Sequence, residues 1–196
     1  MLKADEIFRD IGLEVAPVLK GIGQGELEAA VEAICAAKRI FVAGMGRSGY
    51  MMRCFAMRLM QMGFTAHMVG DTSTPSASSG DLLVIGSGSG ETESLKGYAA
   101  KAKKLGCRVL AITGHPESSL GRGADLTVIL PVQESAHKGA DGSMLVYDTG
   151  NSGQKMLLGS RLELCLLMCT EALSMMAFHR MGFSEAEMMR RHACFE

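Results

Sequence analysis

Short apolar runs of strand length alternate with longer segments of helical composition through the middle of the chain. The helical segments cover 48–62 and 92–105, and 118–122 is long enough for a short helix. The apolar runs lie at residues 39–43, 65–69, 82–85, 108–112 and 126–130. Strands that alternate with helices run parallel and are joined by right-handed crossovers. The pattern therefore predicts an α/β fold, a single-domain three-layer αβα sandwich with a five-stranded parallel sheet.

Helical patterns precede this predicted core. Between residues 7 and 18 apolar side chains recur at helical spacing, and after a glycine-containing break a second helical pattern covers 27–37. Residues 1–37 are therefore predicted to form a helical pair, and the α/β core is predicted to span 38–131.

The remaining third of the chain begins with a segment that lacks any sustained period. Residues 132–156 carry four glycines among Ser, Asp and His, which predicts a long loop that is either a lid over a site or an ordinary surface loop. Residues 157–196 are predicted to be helical: a long helix to residue 181, then a last helix capped by Ser184 with Glu187 three residues later. No linker interrupts the chain, so residues 1–196 are predicted to form one domain.

Composition and charge narrow the class of function. The chain has 196 residues, 47% of them hydrophobic, and its 20 Lys and Arg nearly balance 21 Asp and Glu. The net charge of -1 offers no broad field for nucleic acid or an anionic membrane, and no run resembles a signal peptide or a span of about 20 apolar residues. Six scattered cysteines in apolar patterns indicate reduced core thiols. We therefore expect a cytoplasmic protein with neither a nucleic-acid nor a membrane partner.

A first glycine-rich loop follows the first predicted strand. Gly44-Met45-Gly46-Arg47-Ser48-Gly49 leads directly into a predicted helix, and backbone N–H groups at a helix start bind anions. The same G-x-G-x-x-G spacing fits a dinucleotide-binding turn, with Asp71 near the end of the second strand as the ribose-binding acid. Both interpretations predict that an anionic group binds at this turn.

A second glycine-rich loop follows the third predicted strand. It reads Gly86-Ser87-Gly88-Ser89-Gly90-Glu91-Thr92 and again opens a helix. The glycines let the backbone approach a phosphate, and the hydroxyls of Ser87, Ser89 and Thr92 supply donors. The alternative is a solvated helix cap formed by Ser89 or Thr92. No G-x-x-x-x-G-K-[ST] motif is present, so the loop predicts a phosphate monoester rather than a nucleoside triphosphate.

Together the two loops resemble those of the sugar isomerase (SIS) domain family. Further stretches are similar to its 6-phospho-3-hexuloisomerase branch, and they cover nearly the whole chain: Phe55-Ala56-Met57-Arg58-Leu59-Met60, Gly80-Asp81-Leu82-Leu83, Gly159-Ser160-Arg161-Leu162-Glu163 and the ending Arg191-His192-Ala193-Cys194-Phe195-Glu196. The chain departs from the family pattern at 135–158. The resemblance implies the flavodoxin-like SIS fold and cofactor-free isomerisation of D-arabino-hex-3-ulose 6-phosphate to D-fructose 6-phosphate through an enediolate. That reaction belongs to the ribulose monophosphate pathway of formaldehyde assimilation.

Such an isomerisation needs a base that removes a carbon-bound proton. Glu163 lies near the start of an otherwise apolar helix, where its carboxylate would be partly desolvated, and by resemblance it is the family's proposed base. The alternative is a first-turn glutamate favoured by the helix dipole. Glu91 is the second candidate, although a capping role suits its position better. The substrate-binding residues are expected to be Gly46, Arg47, Ser48, Ser87, Gly88, Ser89 and Thr92.

Of the five histidines, one is a candidate catalytic residue by resemblance to the family. His192 follows Arg190 and Arg191, and related isomerases complete their sites with a histidine from a neighbouring subunit. The resemblance thus implies a homotetramer with shared sites in which His192 acts as an acid, and the alternative is a solvated basic tail. His115 follows the fourth strand and is a generic candidate. Structural or solvated roles are expected for His67, His137 and His179.

A metal site is an alternative to consider, because Cys165 and Cys169 share a helical face and His192 and Cys194 lie downstream. The chain has no C-x-x-C pair, and an apolar stripe explains the helical cysteines better, so no metal is expected. Two other functions stay open: a pentose or heptose phosphate isomerase of the same fold, and a non-catalytic sugar-phosphate sensor. Such sensors usually carry a DNA-binding domain, for which this chain has no room.

Overall fold

The elements of the fold follow the predicted order closely. The computed structural model describes residues 3–132, 135–138, 144–147, 156 and 159–192. Its elements in chain order are α1 (Ala4–Lys20), α2 (Gln24–Ala36), β1 (Ile40–Gly44), α3 (Gly46–Met62), β2 (Ala66–Met68), β3 (Leu82–Gly86), α4 (Glu93–Lys104), β4 (Arg108–Thr113), α5 (Ser119–Gly123), β5 (Leu126–Ile129), β6 (Ser135–Lys138), β7 (Met144–Tyr147), α6 (Ser160–Met181) and α7 (Glu185–Arg190).

The main sheet within these ranges has five parallel strands in the order β2-β1-β3-β4-β5. This confirms the predicted sheet and is the flavodoxin-like order, in which the chain reverses direction across the sheet between β1 and β3. Gly44, the last residue of β1, pairs with Gly86, the last residue of β3. The loops that follow these two strands therefore start side by side.

Helices cover both faces of the sheet, because alternate strand residues point to opposite sides. In β1, Ile40 and Val42 join a core formed with α1, α2, α3 and α6. Phe41 and Ala43 join a smaller core under α4 and α5. The three-layer arrangement is thus confirmed. The β2–β3 connection, residues 69–81, differs from the other crossovers in containing no helix.

The predicted loop 132–156 is wrong for eight of its residues. Strands β6 and β7 form an antiparallel pair there, with Ser135 opposite Tyr147 and Lys138 opposite Met144. Glycine and polar residues dominate the segment and hid the short apolar run of β7. The predicted lid function lies largely outside the described residues.

Different sequence features account for the two C-terminal helices, α6 and α7. Helix α6 meets the length and composition requirement of a membrane span, as core helices also do, and half of its most apolar window is buried inside the fold. Helix α7 begins at the predicted capping box: the Ser184 hydroxyl accepts from Glu187 N–H, and the Glu187 carboxylate accepts from Ser184 N–H. That prediction is confirmed.

Candidate active site

The two glycine-rich loops meet where the sheet order changes direction. They follow β1 and β3, whose ends are paired, and each leads into a helix N-terminus, α3 or α4. Ligands of open parallel sheets bind in the crevice at this point, outside the carboxyl ends of the strands. The fold therefore brings the predicted anion-binding residues of both loops to one place.

Hydrogen bonds within the second loop fix its shape. The buried Ser87 hydroxyl accepts from Gly90 N–H at 3.2 Å, and the Ser89 hydroxyl accepts from Glu91 N–H at 3.2 Å. Thr92 is the N-cap residue of α4, but its hydroxyl makes no cap hydrogen bond, which leaves the helix-start N–H groups unpaired by that side chain. A hydroxyl that accepts one bond still has its own proton to donate. The loop can thus offer several donors to a phosphate.

Close packing leaves little room for a side chain at two positions of these loops. A Cβ at Gly49 would lie 2.8 Å from Gly44 O, and a Cβ at Gly88 would lie 2.3 Å from Leu162 Cδ2. The absence of a side chain at Gly49 lets α3 pack closely against the end of β1. The absence of one at Gly88 lets the start of α6 pack closely on the second loop. Thr113 also holds this loop, because its hydroxyl donates to Gly88 O at 3.1 Å.

Helix α6 places Glu163 beside both loops. The residue is 9% exposed, lies in the first turn of the helix, and its carboxylate Oε2 accepts a hydrogen bond from Arg47 Nε–H. Its neighbour Leu162 packs on Gly88 in the second loop. A buried carboxylate, a guanidinium and a hydroxyl-rich anion loop are therefore assembled from three separate chain segments. This set can bind a phosphorylated ligand and remove a proton from it.

The second candidate base, Glu91, has a structural role. Its carboxylate accepts from both Ser119 N–H at 2.6 Å and the Ser119 hydroxyl at 2.8 Å, at the start of α5. The Ser119 backbone N–H is the main reason that the pKa of Glu91 lies below its usual value, with Lys96 acting in the same direction. Glu91 thus joins the second glycine-rich loop to the start of α5, whereas its position in the sequence had suggested a cap on the helix that follows it directly.

The acid of the alternative dinucleotide interpretation is engaged elsewhere. Asp71 accepts a hydrogen bond at 2.9 Å from Arg53 Nη1 on α3, and both side chains are about half exposed. The geometry thus assigns Asp71 a surface ion pair next to β2.

Histidines occupy separate places in the fold. His67 packs beside Phe41 with ring centroids 5.5 Å apart, and His179 packs beside Phe178. The side chain of His137 lies outside the described residues. His115 follows β4 at the site's edge, and its Nε2 is buried with no hydrogen bond in the described part of the chain. Neither of the two ring contacts involves Glu163.

His192 lies near the end of α3 that is far from Arg47, the hydrogen-bond partner of Glu163. It lines a groove of about 210 Å³ with Arg58 and Gln61 of α3 and with residues of α7. Gln61 is 14 residues beyond Arg47 on α3, which at 1.5 Å per residue is about 20 Å. A single chain therefore does not bring His192 to the site, whereas the other predicted residues cluster there.

The helical cysteines belong to the core. Cys165 and Cys169 are buried among apolar side chains, and burial raises the pKa of the Cys169 thiol to about 12, so the metal-binding thiolate form is disfavoured. Within the described ranges, no group of three or more His, Cys, Asp or Glu side chains is placed to hold a metal ion.

Sequence reasoning missed two residues that position the site. Leu162 appears in the sequence analysis only as part of a family stretch, and Thr113 lies one residue beyond the predicted strand 108–112 and was given no role. Both act on Gly88 from a distance in sequence, and no local pattern reveals such contacts. Gly159 was recognisable in the sequence as a glycine at the start of the last long helix. In the structure it directly precedes α6 and adopts the left-handed conformation, with φ +70°.

The sequence and the fold of this chain are similar to those of known proteins. The SIS domain family description matches residues 33–149. The 3-hexulose-6-phosphate isomerase of Bacillus subtilis (strain 168) is 39% identical over 195 residues, covering 100% of both chains. The enzyme of that name from Mycobacterium gastri is 36% identical and covers 98% of this chain and 92% of its own. A crystal structure from Methanococcus jannaschii, described as inferring the function of 3-hexulose-6-phosphate isomerase, is 32% identical with a TM-score of 0.78, covering 97% and 99% of the chains.

Proposed function

The chain belongs to the SIS domain family, and we propose that it is a 3-hexulose-6-phosphate isomerase, converting D-arabino-hex-3-ulose 6-phosphate into D-fructose 6-phosphate. One observation carries the proposal: a buried carboxylate, Glu163, meets a hydroxyl-rich anion loop at the edge of a parallel sheet. Sequence identities of 39% and 36% to two isomerases, over 100% and 98% of this chain, support the assignment of the substrate. The reaction is a step of the ribulose monophosphate pathway.

The chemistry requires one base and stabilised oxygens. In the forward direction Glu163 removes the proton from C2 of the 3-ketose, and the electrons of that bond form a 2,3-enediolate. Delivery of the proton to C3, with loss of the proton on O2 and gain of one on O3, produces the 2-ketose. No electrons leave the molecule, so the balance includes no redox cofactor. A positioned general base of this kind contributes about 10²–10⁴-fold to the rate.

The phosphate is assigned to the two loops. Ser87, Ser89 and Thr92 supply hydroxyls beside the N-terminus of α4, and Ser48 supplies another at the start of α3. Gly46 and Gly88 allow close approach of the backbone. Both helix N-termini favour a negative group electrostatically, which suits a phosphate dianion.

We assign His192 to the site of a second subunit. Within one chain it lies about 20 Å from Arg47 along α3. Exposed methionines surround the Arg58–Glu171 ion pair that joins α3 and α6: Met57 and Met60 of α3, Met168 and Met175 of α6, and Met189 of α7 are all at least 40% exposed. Two copies packed antiparallel through this face would bring His192 of each to the Glu163 end of the other.

A second exposed apolar set supports a tetramer rather than a dimer. Ile7, Phe8 and Leu13 of α1 are 42%, 73% and 65% exposed. A tetramer with dihedral symmetry uses more than one kind of subunit contact. Surfaces of this kind on soluble proteins mark interaction sites.

Activity on a panel of sugar phosphates tests the function. The purified protein should form fructose 6-phosphate from the 3-hexulose 6-phosphate much faster than it converts pentose or heptose phosphates. Glu163→Gln should lose about 10²–10⁴-fold in turnover. The matched control Glu32→Gln, on the exposed face of α2, should stay native. Preference for another sugar phosphate, or binding without turnover, would overturn the assignment.

Mixing of inactive chains tests the shared site. Glu163→Gln and His192→Ala chains, each inactive, should regain activity when unfolded and reassembled together, because some sites then hold both native groups. If mixed oligomers remain inactive despite proven subunit exchange, the shared site is refuted and His192 is part of a solvated basic tail.

A further inference from the structure

Arg47 connects the phosphate loops to the catalytic base. Its Nε–H donates to Glu163 Oε2, although the two residues lie 116 positions apart in the chain. The Arg47 side chain is 66% exposed and the Glu163 side chain only 12%. A hydrogen-bonded or charged partner offsets the cost of burying a carboxylate. The contact therefore bears on the base itself, whereas sequence reasoning had assigned Arg47 to the substrate.

The location of Arg47 is unfavourable for the helix that carries it. It lies in the first turn of α3, where the helix dipole disfavours a cation, and that turn contains no acidic residue. Glu163 lies in the first turn of α6, where the dipole favours an anion. The pairing of the two first turns offsets the unfavourable charge on α3. Helix stability alone thus does not account for an arginine at this position.

We propose that Arg47 is a positioning residue that holds the Glu163 carboxylate oriented toward the substrate carbon. This inference rests on the proposed function. Bonding through Nε fixes the plane of the guanidinium and leaves its terminal nitrogens at the exposed end of the side chain. One carboxylate oxygen, Oε2, is thereby anchored. The other, Oε1, lies beside Gly159, where a Cβ would be only 3.4 Å away.

The two carboxylate oxygens of Glu163 have different roles, which explains why one neighbour is Arg47 and the other is Gly159. Oε2 serves as the fixed point, and Oε1 receives the proton from carbon. Because Gly159 has no side chain, the space beside Oε1 stays open. A lysine at position 47 keeps the charge but lacks the Nε–H and the planar fork, so it cannot hold the carboxylate plane.

A double-mutant cycle between Arg47 and Glu163 tests the inference. Turnover, KM, fructose 6-phosphate affinity by calorimetry and inhibition by inorganic phosphate are measured for Arg47→Ala, Arg47→Lys, Glu163→Gln and Arg47→Ala/Glu163→Gln. The matched control is Arg122→Ala, whose side chain is 64% exposed and paired with Glu117. Circular dichroism and urea unfolding establish that each variant is folded.

A positioning role predicts a loss in kcat with little change in binding. Arg47→Ala should lose about 10²-fold in kcat, the effect typical of a misplaced reacting group, while the affinities for fructose 6-phosphate and inorganic phosphate change less than about threefold. Arg47→Lys should fall between Arg47→Ala and the native enzyme. In the Glu163→Gln background Arg47→Ala should cause no further loss. Added guanidinium should raise kcat of Arg47→Ala but not of the double variant, a response that a merely structural role would not produce.

Two results would overturn the inference. If Arg47→Ala weakens phosphate binding tenfold or more with kcat retained, Arg47 is a phosphate ligand. If its effect on kcat persists in the Glu163→Gln background, it does not act through Glu163. A Glu163→Gln enzyme with native turnover would instead refute the proposed base, and the two failures are thus distinguishable.

Discussion

Replacing Gly88 by alanine tests whether the second loop and α6 are packed as tightly as the structure shows. The new Cβ would lie 2.3 Å from Leu162 Cδ2, whereas ordinary contacts are 3.4–4 Å, so either the Leu162 side chain rotates or the two segments separate by about 1 Å. Leu162 is 6% exposed and directly precedes Glu163. Displacing it therefore displaces the base relative to the phosphate loop.

Two magnitudes follow from this displacement. Overpacking of a core contact costs about 1–3 kcal/mol, and because the atom in contact is the end of a flexible side chain, we expect the lower part of that range. Misplacing a reacting group by about 1 Å lowers kcat by about 10²-fold, and partial rotation of Leu162 should leave a loss of about 10- to 100-fold.

The assay compares kcat and urea unfolding of Gly88→Ala with those of Gly97→Ala. Gly97 lies in α4 with nothing within 4 Å of its added Cβ, so alanine there should stabilise by about 0.5–1 kcal/mol and leave kcat unchanged. Truncating the clashing side chain, in Gly88→Ala/Leu162→Ala, should give a smaller loss of kcat than the two single effects multiplied. Native kcat and stability in Gly88→Ala would refute the packing.

Three further predictions concern stability and assembly. Glu91→Gln should destabilise at neutral pH by about 0.5–2 kcal/mol through loss of the α5 cap. Since the folded pKa of Glu91 is lowered, its contribution is present above the ordinary carboxyl pKa and is lost as pH falls through the folded value, so urea midpoints of the native and variant proteins should converge in acid. Cys169→Ser should cost about 1–3 kcal/mol in urea unfolding, because it buries a hydroxyl in the apolar core. Met175→Glu, on the exposed face of α6, should yield smaller species in sedimentation, and an unchanged oligomer would exclude that face as the contact.

Local patterns predicted the fold well because the signals of strands and helix starts are local. The observed β1, Ile40–Gly44, differs from its predicted bounds by one residue at each end, and α4 by one residue at each end. Ser184 and Glu187 lie within one turn, so their capping box could be recognised directly. The strand order came only with the family resemblance, since the composition of a strand does not specify which strands are its neighbours.

The candidate site was predictable only in part, because its residues come from distant segments. Each glycine-rich loop is contiguous and follows a strand, so both could be identified as anion loops. The Arg47–Glu163 pair and the Leu162–Gly88 contact join positions 116 and 74 residues apart, and no spacing rule relates them. Resemblance alone singled out His192. The structure places it in a groove beside the far end of α3, and its role in the site of a neighbouring subunit stays a prediction.

Exchange of a carbon-bound proton tests the central claim most directly, since it reports proton abstraction by Glu163 without requiring net conversion. Fructose 6-phosphate is incubated in D₂O with native enzyme or Glu163→Gln, and proton NMR follows the hydrogen at C3. The native enzyme should replace it with deuterium, while Glu163→Gln should bind fructose 6-phosphate with native affinity and exchange about 10²–10⁴-fold more slowly. Exchange at the native rate in the Glu163→Gln enzyme would contradict the role assigned to this carboxylate.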